Sequence, residues 1–96
     1  MRFVFASAAL IGMYVQGHRK YHPDLLKAFR RVVDTIAAAP DERALYGLRG
    51  LRLEKLRGDR SGQYAVRVND QYRLILEMGR DDEGTYVTII EMTDYH

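Results

Sequence analysis

Apolar residues recur along this chain with two different periods, and the period changes near the middle. Before the change the spacing is helical. Leu25, Leu26, Phe29, Val32, Val33 and Ile36 make one face, and Lys27, Arg30, Arg31 and Asp34 make the other, which predicts an amphipathic helix. Pro23 suits its first turn, where the missing N–H costs nothing, and Pro40 stops it. Upstream, Arg2 to Phe5 reads as a short strand and Ser7 as a helix N-cap. Leu10, Ile11, Tyr14 and Val15 recur at three- and four-residue spacing, predicting a first helix from about Ala8 toward Arg19.

After Pro40 the pattern changes. Asp41 to Leu48 predicts one helical turn, broken by Gly47 and Gly50. Leu51 to Leu56, Gln63 to Val68, Tyr72 to Met78 and Tyr86 to Thr93 then read as strands, separated by polar or glycine-containing turns. The expected order is β-α-α-β-β-β-β: a helix pair on one face of a mostly antiparallel sheet, an α+β fold. Ninety-six residues allow one core, so one domain over residues 1–96 is expected.

The segment from Gln63 to Leu76 constrains itself further. Strand alternation puts Tyr64, Val66 and Val68 on one face, and Tyr72, Leu74 and Leu76 on one face of the next strand. Both sets must meet the same core, so Val68 pairs with Tyr72, Val66 with Leu74 and Tyr64 with Leu76, around Asn69-Asp70-Gln71. This register places Arg67 opposite Arg73 on the other face. Like charges so placed repel by a few tenths of a kcal/mol or more. A phosphate between them reverses the sign, because guanidinium forks grip phosphate oxygens at two points. The competing expectation is that each arginine pairs with a nearby carboxylate, Glu54, Glu77 or Asp94.

Charge distribution sharpens that picture. The formal net charge is only +2. From Arg43 to Arg73, however, eight basic residues, including Arg52, Lys55, Arg57, Arg60 and Arg67, face three acids, a local net of +5. Beyond Arg73 acids dominate. Such a segment attracts a polyanion even when the whole chain is nearly neutral; a solvated basic face without a ligand is the plainer reading. There is no cysteine, which excludes disulfides and thiolate metal sites and fits a reducing cytosol. The apolar opening is too short to span a membrane and lacks a cleavage-like site, so a buried strand and helix are expected there rather than a secretory signal.

The chain ends Asp94-Tyr95-His96. A histidine titrates near neutrality, a tyrosine stacks on a base and an aspartate orients either. RNA is cleaved without metal when a base activates the ribose 2′-hydroxyl, cations stabilise the charged transition state and an acid protonates the leaving oxygen. Arg57, Arg67 and Arg73 are candidates for the cations and His96 for the proton carrier; a frayed tail is the alternative for the last residues. His18 and His22, flanking Arg19 and Lys20, read as solvated helix-end residues rather than metal ligands. No phosphate-loop motif or serine or cysteine nucleophile is legible, and no cofactor or metal is expected.

Three blocks resemble a known family: Leu53-Glu54-Lys55-Leu56-Arg57-Gly58-Asp59-Arg60-Ser61-Gly62-Gln63-Tyr64, then Val68-Asn69-Asp70-Gln71-Tyr72-Arg73, then Asp94-Tyr95-His96. In order and spacing they resemble the HigB branch of the RelE/ParE toxins, and the strand-helix-helix prelude extends the likeness over almost the whole chain. The resemblance implies a microbial-ribonuclease-like fold and cleavage of messenger RNA in the ribosomal A site. It implies a HigA-like antitoxin with a helix-turn-helix domain, operator DNA bound only through the toxin–antitoxin complex, no membrane partner, and a cytoplasmic location. It assigns catalysis to Arg57, Arg73, Asp94, Tyr95 and His96. Arg52, Lys55, Arg60 and Arg67 are the expected RNA contacts, and Glu54 a catalytic or orienting residue. Glu54 stands where some relatives have histidine. Arg57 replaces a frequent lysine, keeping charge but disfavouring proton transfer. A non-catalytic RNA- or protein-binding module and a gyrase-directed toxin are the alternative functions.

Overall fold

In the computed structural model, which describes residues 1–94, the helical half forms as its periodicity predicts. Helix α1 spans Ala8–Val15, α2 spans Pro23–Ala38 and the short α3 spans Glu42–Tyr46. Ser7 caps α1 by accepting a hydrogen bond from Leu10 N at 3.3 Å, and Asp41 caps α3 by accepting from Ala44 N at 3.0 Å. All six residues of the predicted apolar face of α2 are buried. α1 stops earlier than its pattern suggested, at Gln16, because Gly17 turns the chain at φ 92° before the basic cluster is reached. Leu10 and Met13 are its buried residues, while Ile11 and Val15 stay exposed. Its short span brings only one side to the core.

The strands are β1 (Arg2–Phe5), β2 (Glu54–Lys55), β3 (Gln63–Arg67), β4 (Tyr72–Asp81) and β5 (Gly84–Asp94), ordered β1-β5-β4-β3-β2. β1 joins β5 in parallel, and the other three pairings are antiparallel. The predicted α+β architecture is therefore present, as a mixed five-stranded sheet. β2 is much shorter than the expected Leu51 to Leu56. Arg49–Leu51 forms a 3₁₀ turn that buries Leu51, and Arg52 then adopts a left-handed backbone at φ 49°. Pairing begins only at Glu54, since left-handed backbone is incompatible with a strand. Conversely, β4 and β5 run past the predicted limits through the acidic turn, where Arg2 donates to Asp81 Oδ2 at 3.0 Å.

One core lies between α1 and α2 and the near face of the sheet, filled by Phe29, Val33, Ile36, Val66, Leu74, Leu76, Val87 and Ile89, among others. Phe5 packs against Phe29 and Tyr14 with ring centroids 6.3 and 5.5 Å apart. The opening apolar run is thus a strand and a helix on this core. Among the described residues no helix is long and apolar enough to cross a membrane.

Candidate functional site

The β3–β4 hairpin has the register that alternation required. Tyr64 stands opposite Leu76, Val66 opposite Leu74, and Arg67 opposite Arg73; Val68 N donates to Tyr72 O at 3.0 Å. Asn69 organises the turn, its side-chain oxygen accepting from Gln71 N at 2.9 Å and Tyr72 N at 2.7 Å. An asparagine does this because its short amide mimics a backbone carbonyl. Its signal was visible in the Asn-Asp-Gln turn, but its bonding was not.

The sheet face turned away from the helices has its own apolar strip. Ala65 and Ile75 are buried although neither belongs to the helix-side core. They sit in one cross-strand row, Glu54-Ala65-Ile75-Glu91, because Glu54 pairs with Ala65, Ala65 with Ile75, and Ile75 with Glu91. The next row is Arg67-Arg73-Thr93. A row with acidic ends and a buried apolar middle therefore lies beside a cationic row, about two residues apart along the strands.

Beside these rows a hollow of about 500 Å³ is lined by Leu56, Arg57, Asp59, Arg60, Ile75, Thr93 and Asp94. The connection between β2 and β3 folds over the sheet here as a 3₁₀ turn at Gly58–Arg60, with Gly58 at φ 65°. That turn brings Arg57 and Arg60, distant in sequence from Asp94, to the same opening. Arg60 is held by Glu91 Oε1 at 2.6 Å and Gln63 Oε1 at 2.8 Å, so part of its charge is already compensated. Glu91 was not anticipated, since nothing local links it to Arg60.

The paired arginines are restrained from one turn. Arg67 donates to Asp70 Oδ1, and Arg73 Nη1 donates to the carbonyl oxygens of Asn69 and Tyr72 at 2.8 and 3.2 Å. The partner of Arg67 is thus Asp70, not Glu54, Glu77 or Asp94; three residues of separation across a tight turn was the available signal. The hydrogen bond and charge of Arg67, with further attraction from Arg52 and Arg73, hold the Asp70 carboxyl below its ordinary value. Arg52 consequently belongs to the same positive neighbourhood.

Of the anticipated site residues, the structure gathers Arg57, Arg60 and Asp94 around the hollow, with Glu54, Arg67 and Arg73 on the adjoining rows and Arg52 near the hairpin turn. Asp94 also accepts from Gln71 Nε2 at 2.9 Å. Lys55 is not brought in: it pairs with Tyr64, whose side chain packs toward the helices, so alternation turns it away from the arginine rows. Tyr95 and His96 lie outside the described residues. His18 and His22 serve locally, their Nδ1 atoms accepting from Lys20 N and Asp24 N, each at 3.0 Å.

A family model for HigB-like toxins, described as the RelE-like toxin of the type II toxin–antitoxin system HigB, matches residues 4–96. Among solved structures, the Staphylococcus aureus YoeB–YefM complex is similar at 25% identity, covering 100% of this chain and 97% of that one, with a TM-score of 0.61. The Mycobacterium tuberculosis RelBE2 toxin–antitoxin complex shares 26% identity over 98% and 96% of the two chains, with a TM-score of 0.55. A YoeB/ParE toxin from Agrobacterium tumefaciens, 12% identical, covers 100% of both chains at a TM-score of 0.63 and shows the fold. No curated protein matches the sequence.

Proposed function

The chain belongs to the HigB-like toxin family of RelE-like type II toxins, and from that premise we propose that it is a ribosome-dependent endoribonuclease that cuts messenger RNA and so arrests translation and growth. The observation that carries this reading is the hollow where Arg57 and Arg60 meet Asp94 beside the Arg67-Arg73 row. Arg57 and Arg60 line the hollow together with Asp59 and Asp94, over the apolar Leu56 and Ile75. With the Arg67-Arg73 row beside them the cations predominate and suit a phosphodiester, because partial desolvation strengthens each charge-assisted contact.

In the proposed reaction the ribose 2′-hydroxyl attacks the adjacent phosphorus, and the bond to the 5′-oxygen breaks. The products are a 2′,3′-cyclic phosphate and a 5′-hydroxyl. Arg57 and Arg73 stabilise the charge gathering on the phosphoryl oxygens. His96 carries the proton to the leaving oxygen, Tyr95 stacks on a base and Asp94 orients the pair. Glu54 is the candidate base or orienting group; Arg52, Arg60 and Arg67 hold the flanking backbone. No step needs a metal or cofactor. Residues 1–96 form one toxin domain in this reading. Its partner is a HigA-like helix-turn-helix antitoxin, operator DNA is reached through that complex, and the ribosome places the activity in the cytoplasm.

The test is induction of the protein in cells followed by mapping of transcript 5′ ends. Codon-phased cuts in translated messages, lost with Arg73→Ala, are expected. Growth arrest with intact messages would overturn the reading in favour of a gyrase-directed toxin, and RNA binding without cuts or arrest in favour of a binding module.

A further inference from the structure

A second concave surface lies at the Arg67 end of β3, away from the hollow. It forms between α2 and the segment from Gly47 to Leu51 and encloses about 460 Å³. Arg31, Arg49 and Arg67 line it, and its lining includes no carboxylate. Its apolar part comes from Val32, Leu51 and Val68, each nearly buried, and from Leu48, which is 40% exposed. Two neighbouring acids are already engaged: Asp34 accepts from the Tyr14 hydroxyl, and Asp70 accepts from Arg67.

We propose that this groove docks an acidic peptide segment carrying aliphatic side chains. Charge complementarity is the first argument. Arg67 is paired with Asp70, but Arg31 and Arg49 line the groove with no ion pair among the described residues, and guanidinium forks match carboxylates at two points. The floor is the second. It is wholly aliphatic, and no aromatic ring lines it. Unpaired bases are commonly held by stacking on aromatic rings, whereas Val32, Leu48, Leu51 and Val68 suit leucine or isoleucine side chains. Leu48 is a large hydrophobic residue left in water, and covering it is favourable at about 25 cal/mol per Å² of apolar surface. Gly47 and Gly50 add no side chain to the wall, and a Cβ at Gly50 would meet nothing within 4 Å. Arg67 also belongs to the arginine rows of the hollow, so the two surfaces share one cation. The docking proposal does not depend on nuclease activity.

The experiment is fluorescence anisotropy of the purified chain with a labelled helical peptide of leucine and glutamate. Its glutamine counterpart and a labelled single-stranded RNA oligonucleotide serve as the comparison probes. The acidic peptide is expected to bind, the glutamine peptide to bind at least about tenfold more weakly, and Leu48→Ser and Arg31→Glu each to weaken acidic-peptide binding by about tenfold. Both substitutions fall at exposed positions, and circular dichroism checks that the variants fold. Failure of the acidic peptide to bind, or equal binding by both folded variants, overturns the proposal. So does loss of RNA affinity rather than peptide affinity in those variants, or self-association of the chain abolished by Leu48→Ser.

Discussion

Arg67 and Arg73 stand opposite each other on neighbouring strands, yet each is held by a different group from the single turn that joins them. Asp70 takes Arg67, and the carbonyls of Asn69 and Tyr72 take Arg73. The turn that forces the two cations together also moderates their repulsion. It leaves them on the face where a phosphate is expected to lie.

The Asp70 carboxyl should titrate below 3.8, and Arg67→Gln should move its midpoint back up, because Arg67 is the largest cause of the shift. The sign follows from linkage: a depressed folded-state value gives a contribution fully present above the unfolded value and lost as pH falls through the folded one. Carboxyl-detected NMR between pH 2 and 6, a range set by about two units either side of an ordinary aspartate, measures it. An unshifted midpoint would show the ion pair to be absent in solution.

Arg57→Ala and Arg73→Ala should each lower the rate of messenger cleavage on ribosomes by about 10²- to 10³-fold, the usual cost of losing a transition-state donor. Arg57→Lys should retain far more activity, since a cation remains at the mouth of the hollow. Single-turnover kinetics with programmed ribosomes distinguish these outcomes. Equal losses for Ala and Lys would mean that two-point guanidinium geometry, not charge, is what counts at this position.

Gly79 pairs with Tyr86 across β4 and β5, and a Cβ there would lie well under 3.0 Å from the tip of the tyrosine ring. Gly79→Ala should destabilise the fold by about 1 kcal/mol or more through displacement of that ring. The ring also faces the Arg2 guanidinium, 5.6 Å from its centroid. In a Tyr86→Ala background the same substitution should cost much less, a coupling that urea unfolding of the double-mutant cycle reads directly.

Burial and the 3.1 Å hydrogen bond to Glu42 push the Tyr64 hydroxyl up to about 12. Ultraviolet titration of the seven tyrosines should therefore show a late component that Tyr64→Phe removes. A raised folded-state value means the native chain holds this proton longer, so its contribution is full below 10 and is lost as pH rises toward about 12. If Glu42→Gln leaves the late component in place, burial alone accounts for it.

Much of the architecture is a local consequence of residue order. The α2 face from Leu25 to Ile36, the Ser7 cap, and the Arg67-Arg73 opposition follow from helical period, short-range hydrogen bonding and strand alternation, all of which act within a few residues. The Asn69-Asp70-Gln71 turn is legible for the same reason. Leu51 to Leu56 misled because an apolar run does not reveal that Leu51 will bury itself in a 3₁₀ turn and leave Arg52 left-handed.

What tertiary structure alone decided are the contacts between distant strands. The parallel docking of β1 on β5, the Arg60–Glu91 pair and the burial of Ala65 and Ile75 on the far face depend on which segments become neighbours after the sheet closes. The resemblance carried by the sequence motifs pointed to Arg57 and Asp94. Only the fold of the 58–60 turn over β4 and β5 places them around one hollow, because charge counting along a chain holds no information about distance across a sheet.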